Sequence, residues 1–335
     1  MASLLAGTLS QTPTSTIGPA GVVRLPDGRS ITFSAAGPED GFPIVYCHGA
    51  IGSPRWRTPA LDHLIERLSI RYVMVNRPGF AGSDPSPGRA VVDFARDLGD
   101  VMSALGHRRF SVVGVSAGAP YALACGWALA ARLVGLAAVS PLGPPDGEGA
   151  CRGLRYQVPL LPFGSHRVGP ALARACLRGL GLHGETPTAA MIEDYLVCRR
   201  HWGFDPAALP VPVTVWHGGA DRLVPLAHAR ALATVIPDCT ARVAPGGGHF
   251  FYSRSLAEII GSLLPDRGER VFLAYRGSDY SAESSRSARS CSTGAPQAYT
   301  SRSASPWLAL WSGVPASTWT IPPAGTSTRS GGSPR

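Results

Sequence analysis

The sequence contains no lysine, so all 31 of its basic residues are arginine. This absence excludes chemistry that needs a lysine amine, including Schiff-base and pyridoxal enzymes and the Walker-type phosphate loop. The net charge is +9, but the arginines are scattered, with pairs at 108–109 and 199–200 and no dense run. Because nucleic-acid binding requires a concentrated basic face, we expect no nucleic-acid partner.

Cysteines are few and form no framework. The seven cysteines lie far apart without a C-x-x-C pair, and Cys47 and Cys125 fall inside apolar segments. This pattern predicts reduced, mostly buried thiols and a cytoplasmic location. No apolar run is long enough to span a membrane, and the first apolar stretch is not preceded by the basic residue of a signal peptide.

From residue 21 onward, apolar strands alternate with amphipathic helices. Residues 21–37 predict an antiparallel hairpin around a Pro-Asp-Gly turn. The strands that follow are continuous apolar runs, which is typical of a parallel sheet covered on both faces. The fold class is therefore α/β, with a mostly parallel central sheet between two helical layers.

The alternation is interrupted once and then stops. Residues 143–210 are rich in glycine, proline and arginine, which predicts an insertion that forms a cap of helices. The core then comprises residues 21–142 and 211–265, preceded by a flexible segment, 1–20. Residues 266–335 are rich in Ser, Gly and Pro, which predicts a disordered tail without a catalytic group. We expect truncation after Asp266 to change kcat/KM by less than about threefold.

The stretch "SVVGVSAGAP" contains the candidate nucleophile. Ser116 lies between Gly114 and Gly118, after an apolar strand and before an alanine-rich helix. A G-x-S-x-G motif in this context places the serine hydroxyl on a sharp turn at the carboxyl end of the sheet. The backbone N–H of Ala117 then lies at a helix N-terminus, where it can stabilise an oxyanion. The alternative is a small-residue turn that serves close packing.

A serine hydroxyl needs a base and the base needs a carboxylate. Of the nine histidines, His249 follows a strand and the glycine-rich loop "APGGGH", so it can reach the sheet end. Asp221 also follows a strand, and Asp146 is the second candidate for the acid. Helix capping is the alternative role for both Asp221 and His249. The loop "HGAIGS" after the strand "FPIVYCHG" offers the Ala50 N–H as a second oxyanion donor, whereas His48 is better suited to bracing that loop.

These segments together resemble the α/β-hydrolase fold superfamily, in its broad group of esterase-like serine hydrolases. The resemblance covers residues 21–264 and rests on "HGAIGS", "NRPGFAGSD", "GVSAG", "VWHGGADRLVP" and "PGGGHF", in that order. It implies the α/β-hydrolase fold with a helical cap, and a triad that matches Ser116, Asp221 and His249. It also implies oxyanion amides at Ala50 and Ala117.

The sequence therefore predicts a serine hydrolase that needs neither cofactor nor metal and acts through an acyl-enzyme on a small, apolar ester. Within the same fold, C–C cleavage, amide hydrolysis and cofactor-free peroxide chemistry remain open. A ligand-binding module without turnover is the alternative from another class. Trp202, Phe204 and Phe250 are candidates either for an apolar pocket lining or for the core. The partners are a small-molecule substrate and, in a homodimer, a second copy; a monomer is equally compatible.

Overall fold

The computed structural model describes residues 20–50, 58–144, 188–265 and 317–320 of the 335-residue chain. Within these ranges the chain forms one sheet of nine strands, in the order β1-β2-β4-β3-β5-β6-β7-β8-β9. The strands are β1 (Ala20–Arg24), β2 (Ser30–Ala36), β3 (Phe42–Cys47), β4 (Ile70–Val75), β5 (Phe110–Val115), β6 (Leu133–Val139), β7 (Val213–Gly218), β8 (Cys239–Ala244) and β9 (Ser317–Thr320).

The six strands β3 to β8 are parallel to one another, whereas β1, β2 and β9 join antiparallel at the edges. The predicted hairpin is confirmed, with Val22 opposite Thr32. The predicted α/β class with a mostly parallel sheet is confirmed as well.

Six α-helices connect or flank the strands of the described residues. They are α1 (Pro59–Arg67), α2 (Asp93–Ala104), α3 (Ala119–Ala128), α4 (Thr188–Cys198), α5 (Leu226–Val235) and α6 (Leu256–Gly261). The start of α1 follows from its sequence, because Thr58 caps the Leu61 N–H at 3.2 Å and Pro59 occupies the first turn.

The helices bury their apolar sides on opposite faces of the sheet. Leu64 of α1 and Ile260 of α6 pack in one core, whereas Leu98 of α2 and Leu123 of α3 pack in the other. Successive strand residues alternate between the two cores. Burial on both faces explains why the central strands are continuous apolar runs rather than alternating patterns.

The strand order creates a crevice at the carboxyl ends of β3 and β5. The chain runs from β3 to β4 on one side and then crosses to β5 on the other side of β3. Open α/β sheets bind ligands at such a reversal of strand order. The loops after these two strands carry Ala50 and Ser116, so the topology brings both candidates to one crevice.

The described part of the predicted cap is the helix α4 and the turn after it. Trp202 and Phe204, which follow α4, are only 2% and 4% exposed and belong to the main core. They are core residues, which was one of the two interpretations that the sequence left open. The predicted helical piece at 169–180 lies outside the described residues.

Four residues of the tail have a defined place in the sheet. Ser317–Thr320 pair antiparallel with β8, in a register that sets Trp319 opposite Ala241. For these residues the expectation of disorder does not hold. β8 would otherwise present an edge of unpaired backbone groups, and the β-branched and aromatic residues of β9 suit a strand. The other tail residues, and residues 1–19, lie outside the described residues.

Candidate active site

The backbone bends sharply at Ser116. This residue follows β5 directly and has a φ of 57°, in the left-handed region that a serine rarely adopts. A 3₁₀ turn, Ser116–Gly118, then leads straight into α3. Strain of this kind persists only where the surroundings hold it, and it concentrates at functional sites.

Two close approaches explain the glycines on either side of the turn. A Cβ at Gly114 would lie 2.7 Å from the Cβ of Ala122 on α3. A Cβ at Gly118 would lie 2.6 Å from the carbonyl oxygen of His48 in the loop after β3. Both positions therefore require glycine for the strand, the helix and the neighbouring loop to meet at the elbow.

Ala117 is buried in the first turn of the helical segment. The first N–H groups of a helix have no acceptor within the helix, and they lie at the positive end of its dipole. The Ala117 amide is thus placed beside Ser116 with its hydrogen-bonding capacity free of the helix ladder.

Asp221 and His249 form a buried hydrogen-bonded pair. Nδ1 of His249 lies 2.8 Å from Oδ2 of Asp221, and the Asp221 side chain is wholly buried. Asp221 follows β7 and His249 follows β8, so parallel strands deliver both to the same end of the sheet. A carboxylate can only accept, so Nδ1 carries the proton and Nε2 presents a lone pair.

The Asp221 carboxylate is held by further donors. Its Oδ1 accepts the backbone N–H groups of Leu223 at 2.8 Å and Val224 at 3.0 Å. Nε2 of His217 lies 3.5 Å from Oδ2 and 3.0 Å from the carbonyl oxygen of Val224. Burial lowers the pKa of His217, which keeps the ring neutral. These contacts fix the carboxylate in one orientation toward His249.

The segment after β6 connects the base to the elbow. The Ser140 hydroxyl donates to the backbone carbonyl of His249 at 2.9 Å, and the Leu142 N–H donates to the Ser116 carbonyl at 3.3 Å. Ser140 is itself buried, with a φ of 45°. One short segment therefore contacts the backbone of both candidate residues.

The loop after β3 lies against the elbow. A Cβ at Gly49 would lie 3.5 Å from the Cβ of Ser116, and Ala50 follows in a turn. Burial lowers the pKa of His48 to about 3, so this ring is neutral, and its Nδ1 contacts the Gly49 carbonyl at 2.9 Å. These contacts are consistent with the predicted role of His48 in bracing the loop after β3. Residues 51–57 and the second acid candidate, Asp146, lie outside the described residues.

Sequence reasoning missed a buried ion pair behind this loop. Arg77, in "NRPGF", and Asp194, in α4, are both wholly buried and lie 2.8 Å apart. It also missed Ser140. The available signals were the position of Arg77 two residues beyond β4 and the acidic pair Glu193-Asp194 on the mostly apolar helix "TAAMIEDYLVC".

The described ranges contain neither a metal-binding cluster nor a membrane-spanning helix. In those ranges no group of three or more His, Cys, Asp or Glu side chains is arranged to hold a metal ion. None of the helices described is both long and apolar enough to cross a membrane.

Comparison with known proteins gives the family and the fold. The sequence model described as "Alpha/beta hydrolase family" matches residues 44–261. A non-heme chloroperoxidase from Streptomyces lividans is 29% identical over 236 residues, which are 62% of this chain and 85% of that protein.

Solved structures share the fold at lower identity. An esterase from Rhodococcus sp. superposes with a TM-score of 0.56 at 23% identity, over 75% of this chain and all of the esterase. The enol-lactonase from Burkholderia xenovorans superposes with a TM-score of 0.54 at 15% identity, over 71% of this chain and 96% of the lactonase. At these identities the likeness is one of fold.

Proposed function

The chain is an enzyme of the alpha/beta hydrolase family, and we propose that it is a cofactor-independent serine hydrolase of small, apolar esters. Ser116 is the nucleophile, His249 the general base and Asp221 the residue that orients the base. The amides of Ala50 and Ala117 form the oxyanion hole. The observation that carries the proposal is the 2.8 Å Asp221–His249 hydrogen bond at the sheet end that also bears the strained Ser116.

The reaction proceeds in two halves. Ser116 Oγ attacks the ester carbonyl carbon while Nε2 of His249 takes the hydroxyl proton, and the two amides stabilise the oxyanion. The C–O bond to the alcohol then breaks, and His249 returns the proton to the departing oxygen. Water, deprotonated by His249, attacks the acyl-enzyme and releases the carboxylic acid and the free serine.

The surroundings favour an apolar substrate. Phe250 is half-buried and its ring stands edge-on to His249, with centroids 5.1 Å apart. A hydrophobic wall next to the base excludes water and strengthens the electrostatic contacts of the site. The enol-lactonase and the esterase that share the fold are named for ester-bond chemistry, which is consistent with this class.

The test is labelling with a fluorophosphonate, which reacts with activated serine hydroxyls. We expect wild-type protein to be labelled on Ser116 and to hydrolyse short p-nitrophenyl esters. Ser116→Ala should lose the label and at least about 10⁴-fold in kcat, because members of a triad act as a unit. The exposed Ser103 provides a matched control, since Ser103→Ala should change neither readout. Undiminished labelling of the Ser116→Ala variant, on another serine, would refute the assignment.

Cofactor-free peroxide chemistry is the second candidate, and the resemblance to the Streptomyces chloroperoxidase favours it. In this reaction hydrogen peroxide replaces water as the attacking group on the acyl-enzyme and releases a peracid, which then oxidises halide. Adding acetate, peroxide and bromide should yield halogenation of monochlorodimedone in wild type and none in Ser116→Ala. Ester turnover without any peracid product would exclude the second candidate.

C–C and amide cleavage use the same groups, so substrate panels of diones and amides separate them from ester hydrolysis. A binding module without turnover predicts tight ligand binding with no fluorophosphonate labelling. A pure binder has no chemical need for a hydrogen-bonded acid and base behind a strained serine.

A further inference from the structure

Among the described residues, a buried ion pair outside the proposed triad joins α4 to the segment after β4, at the carboxyl end of the sheet. Nε and Nη2 of Arg77 donate to the two carboxylate oxygens of Asp194 at 3.0 Å and 2.8 Å. Both side chains are wholly buried. Such a fork-shaped pair fixes direction as well as distance, whereas apolar residues in the same place would often be as stabilising. Its geometry is therefore the feature that requires an explanation.

The opposite side of the Arg77 guanidinium holds the loop after β3. Nη1 donates to the carbonyl of His48, and Nη2 donates to the carbonyl of Gly49 at 3.3 Å. The backbone N–H of Arg77 lies 3.5 Å from Nε2 of His48, which leaves Nδ1 as the protonated nitrogen. Nδ1 then donates to the Gly49 carbonyl at 2.9 Å. The Gly49 carbonyl is thus held by two donors.

The consequence for Ala50 follows from the planarity of the peptide bond. In a trans peptide the N–H points opposite to the preceding carbonyl. Because the Gly49 carbonyl faces Arg77 and His48, the Ala50 N–H points away from them. Gly49 adjoins Ser116, so the peptide that carries the Ala50 amide lies beside the nucleophile.

Asp194 is in turn fixed by its other neighbours. The Tyr121 hydroxyl, on the helix after the elbow, donates to Oδ1 at 2.6 Å, and Nη2 of Arg89 lies 3.4 Å from the same oxygen. Arg89 also pairs with Glu193 at 2.8 Å. The carboxylate therefore joins the cap helix, the elbow helix and the oxyanion loop.

We propose that Asp194 is a positioning residue for the oxyanion hole, which it holds in place through Arg77 and the Gly49–Ala50 peptide. The inference rests on the proposed function. On this proposal α4 is a fixed wall of the site rather than a lid. Its buried Asp194 holds, through Arg77, the peptide whose amide stabilises the charge that develops on the substrate oxygen. The amide acts mainly on the tetrahedral species, so the coupling affects kcat more than ground-state binding.

The test compares Asp194→Asn with the neighbouring Glu193→Gln in the full chain. The substrates are p-nitrophenyl esters, and the inhibitor is a trifluoromethyl ketone, whose hydrate-like adduct carries an oxyanion. We expect Asp194→Asn to lower kcat and the affinity for the ketone together, by about 10- to 100-fold, with KM within about threefold. Glu193 contacts Arg89 and not Arg77. The Glu193→Gln variant should therefore stay within about twofold of wild type on each readout.

If Asp194→Asn does not fold, Tyr121→Phe decides, because it removes one hydrogen bond from Asp194 and keeps the ion pair. We expect this variant to fold and to lose kcat and ketone affinity in parallel, by about three- to tenfold. A folded Asp194→Asn, or in its absence a folded Tyr121→Phe, with wild-type kcat and ketone affinity would overturn the positioning role. If the wild-type protein showed neither ester turnover nor fluorophosphonate labelling, the proposed function would be overturned instead.

Discussion

The hydroxyl of Ser140 donates a 2.9 Å hydrogen bond to the backbone carbonyl of His249, which is 109 residues later in the chain. Ser140 directly follows β6 in a left-handed conformation, with a φ of 45°. The contact therefore ties the loop after β8, which carries the proposed base, to the segment after β6, across the intervening strand β7. It thereby restrains the backbone that carries the His249 ring.

Replacing Ser140 by alanine should impair catalysis beyond its effect on stability. The variant leaves the buried His249 carbonyl without this donor, which costs about 1–3 kcal/mol in stability. A loosened base should also lower kcat by about tenfold, with little change in KM. Urea unfolding and ester kinetics measure the two effects.

Ser111→Ala is the matched control for this prediction. Ser111 is equally buried and its hydroxyl also donates to a backbone carbonyl, that of Leu263, remote from His249 in the sequence. We expect a similar loss of stability with unchanged kcat. Equal kinetic losses in the two serine variants would show that Ser140 contributes only to stability.

Asp221→Asn should lower kcat by about 10⁴-fold while KM changes little. An amide NH₂ opposite Nδ1 favours the tautomer with its proton on Nε2, which can no longer accept the Ser116 proton. Asp205→Asn is the control, because Asp205 is exposed and caps a short helix through the Ala207 N–H at 2.9 Å. If Asp146→Asn rather than Asp221→Asn abolished activity, the acid would be Asp146.

Much of the fold follows from the sequence because its signals are local. The central strands are continuous apolar runs, and a glycine on each side of Ser116 marks the turn after β5. The hydrogen-bonded Asp221 and His249 each follow a strand, β7 and β8, so reasoning from strand ends was enough to select both. Their roles, with those of Ala50 and Ala117, stay predictions that the variants above test.

The contacts missed by sequence reasoning are between residues far apart in the chain. Arg77 and Asp194 are 117 residues apart. The sequence around Arg77 does not indicate that Asp194 is its partner, and the sequence around Asp194 does not indicate Arg77. The strand Ser317–Thr320 is similar, because four β-prone residues in a Ser- and Pro-rich segment form a strand only when an open sheet edge receives them. Tertiary pairing, rather than local propensity, decides such segments.

Stability should fall as the pH falls below 6.5, because buried histidines, among them His48 and His228, stay neutral in the folded protein. Burial lowers the pKa of His48 from 6.5 to about 3 and that of His228 to about 4. Between these values and 6.5 the unfolded chain binds more protons than the folded one. Each histidine therefore removes up to about 1.4 kcal/mol per pH unit as the pH drops through that window.

The substitution His228→Gln isolates one of these contributions. Its side-chain oxygen can still accept the Gly143 N–H, which His228 Nδ1 accepts at 3.0 Å. In urea unfolding between pH 6.5 and 4.5, the slope of stability against pH should decrease by about 1 kcal/mol per unit. His63 is exposed, so His63→Gln should leave the slope unchanged. Identical slopes for wild type and His228→Gln would refute the assignment.

Removing β9 should lower stability but not activity. Truncation after Ala316 deletes the strand, whereas truncation after Thr320 keeps it, so the two proteins differ by four residues. Each backbone hydrogen bond lost from the edge of β8 contributes about 0.5–1.5 kcal/mol, and the exposed edge favours aggregation. We expect the shorter protein to melt several degrees lower, as measured by calorimetry.

Six residue pairs with β7 still set the register of β8, so the loop to His249 keeps its place and kcat/KM should stay within about threefold. Equal melting temperatures would show that β9 adds nothing to stability, and a hundredfold loss of activity in the folded shorter protein would show that the strand helps to position the site.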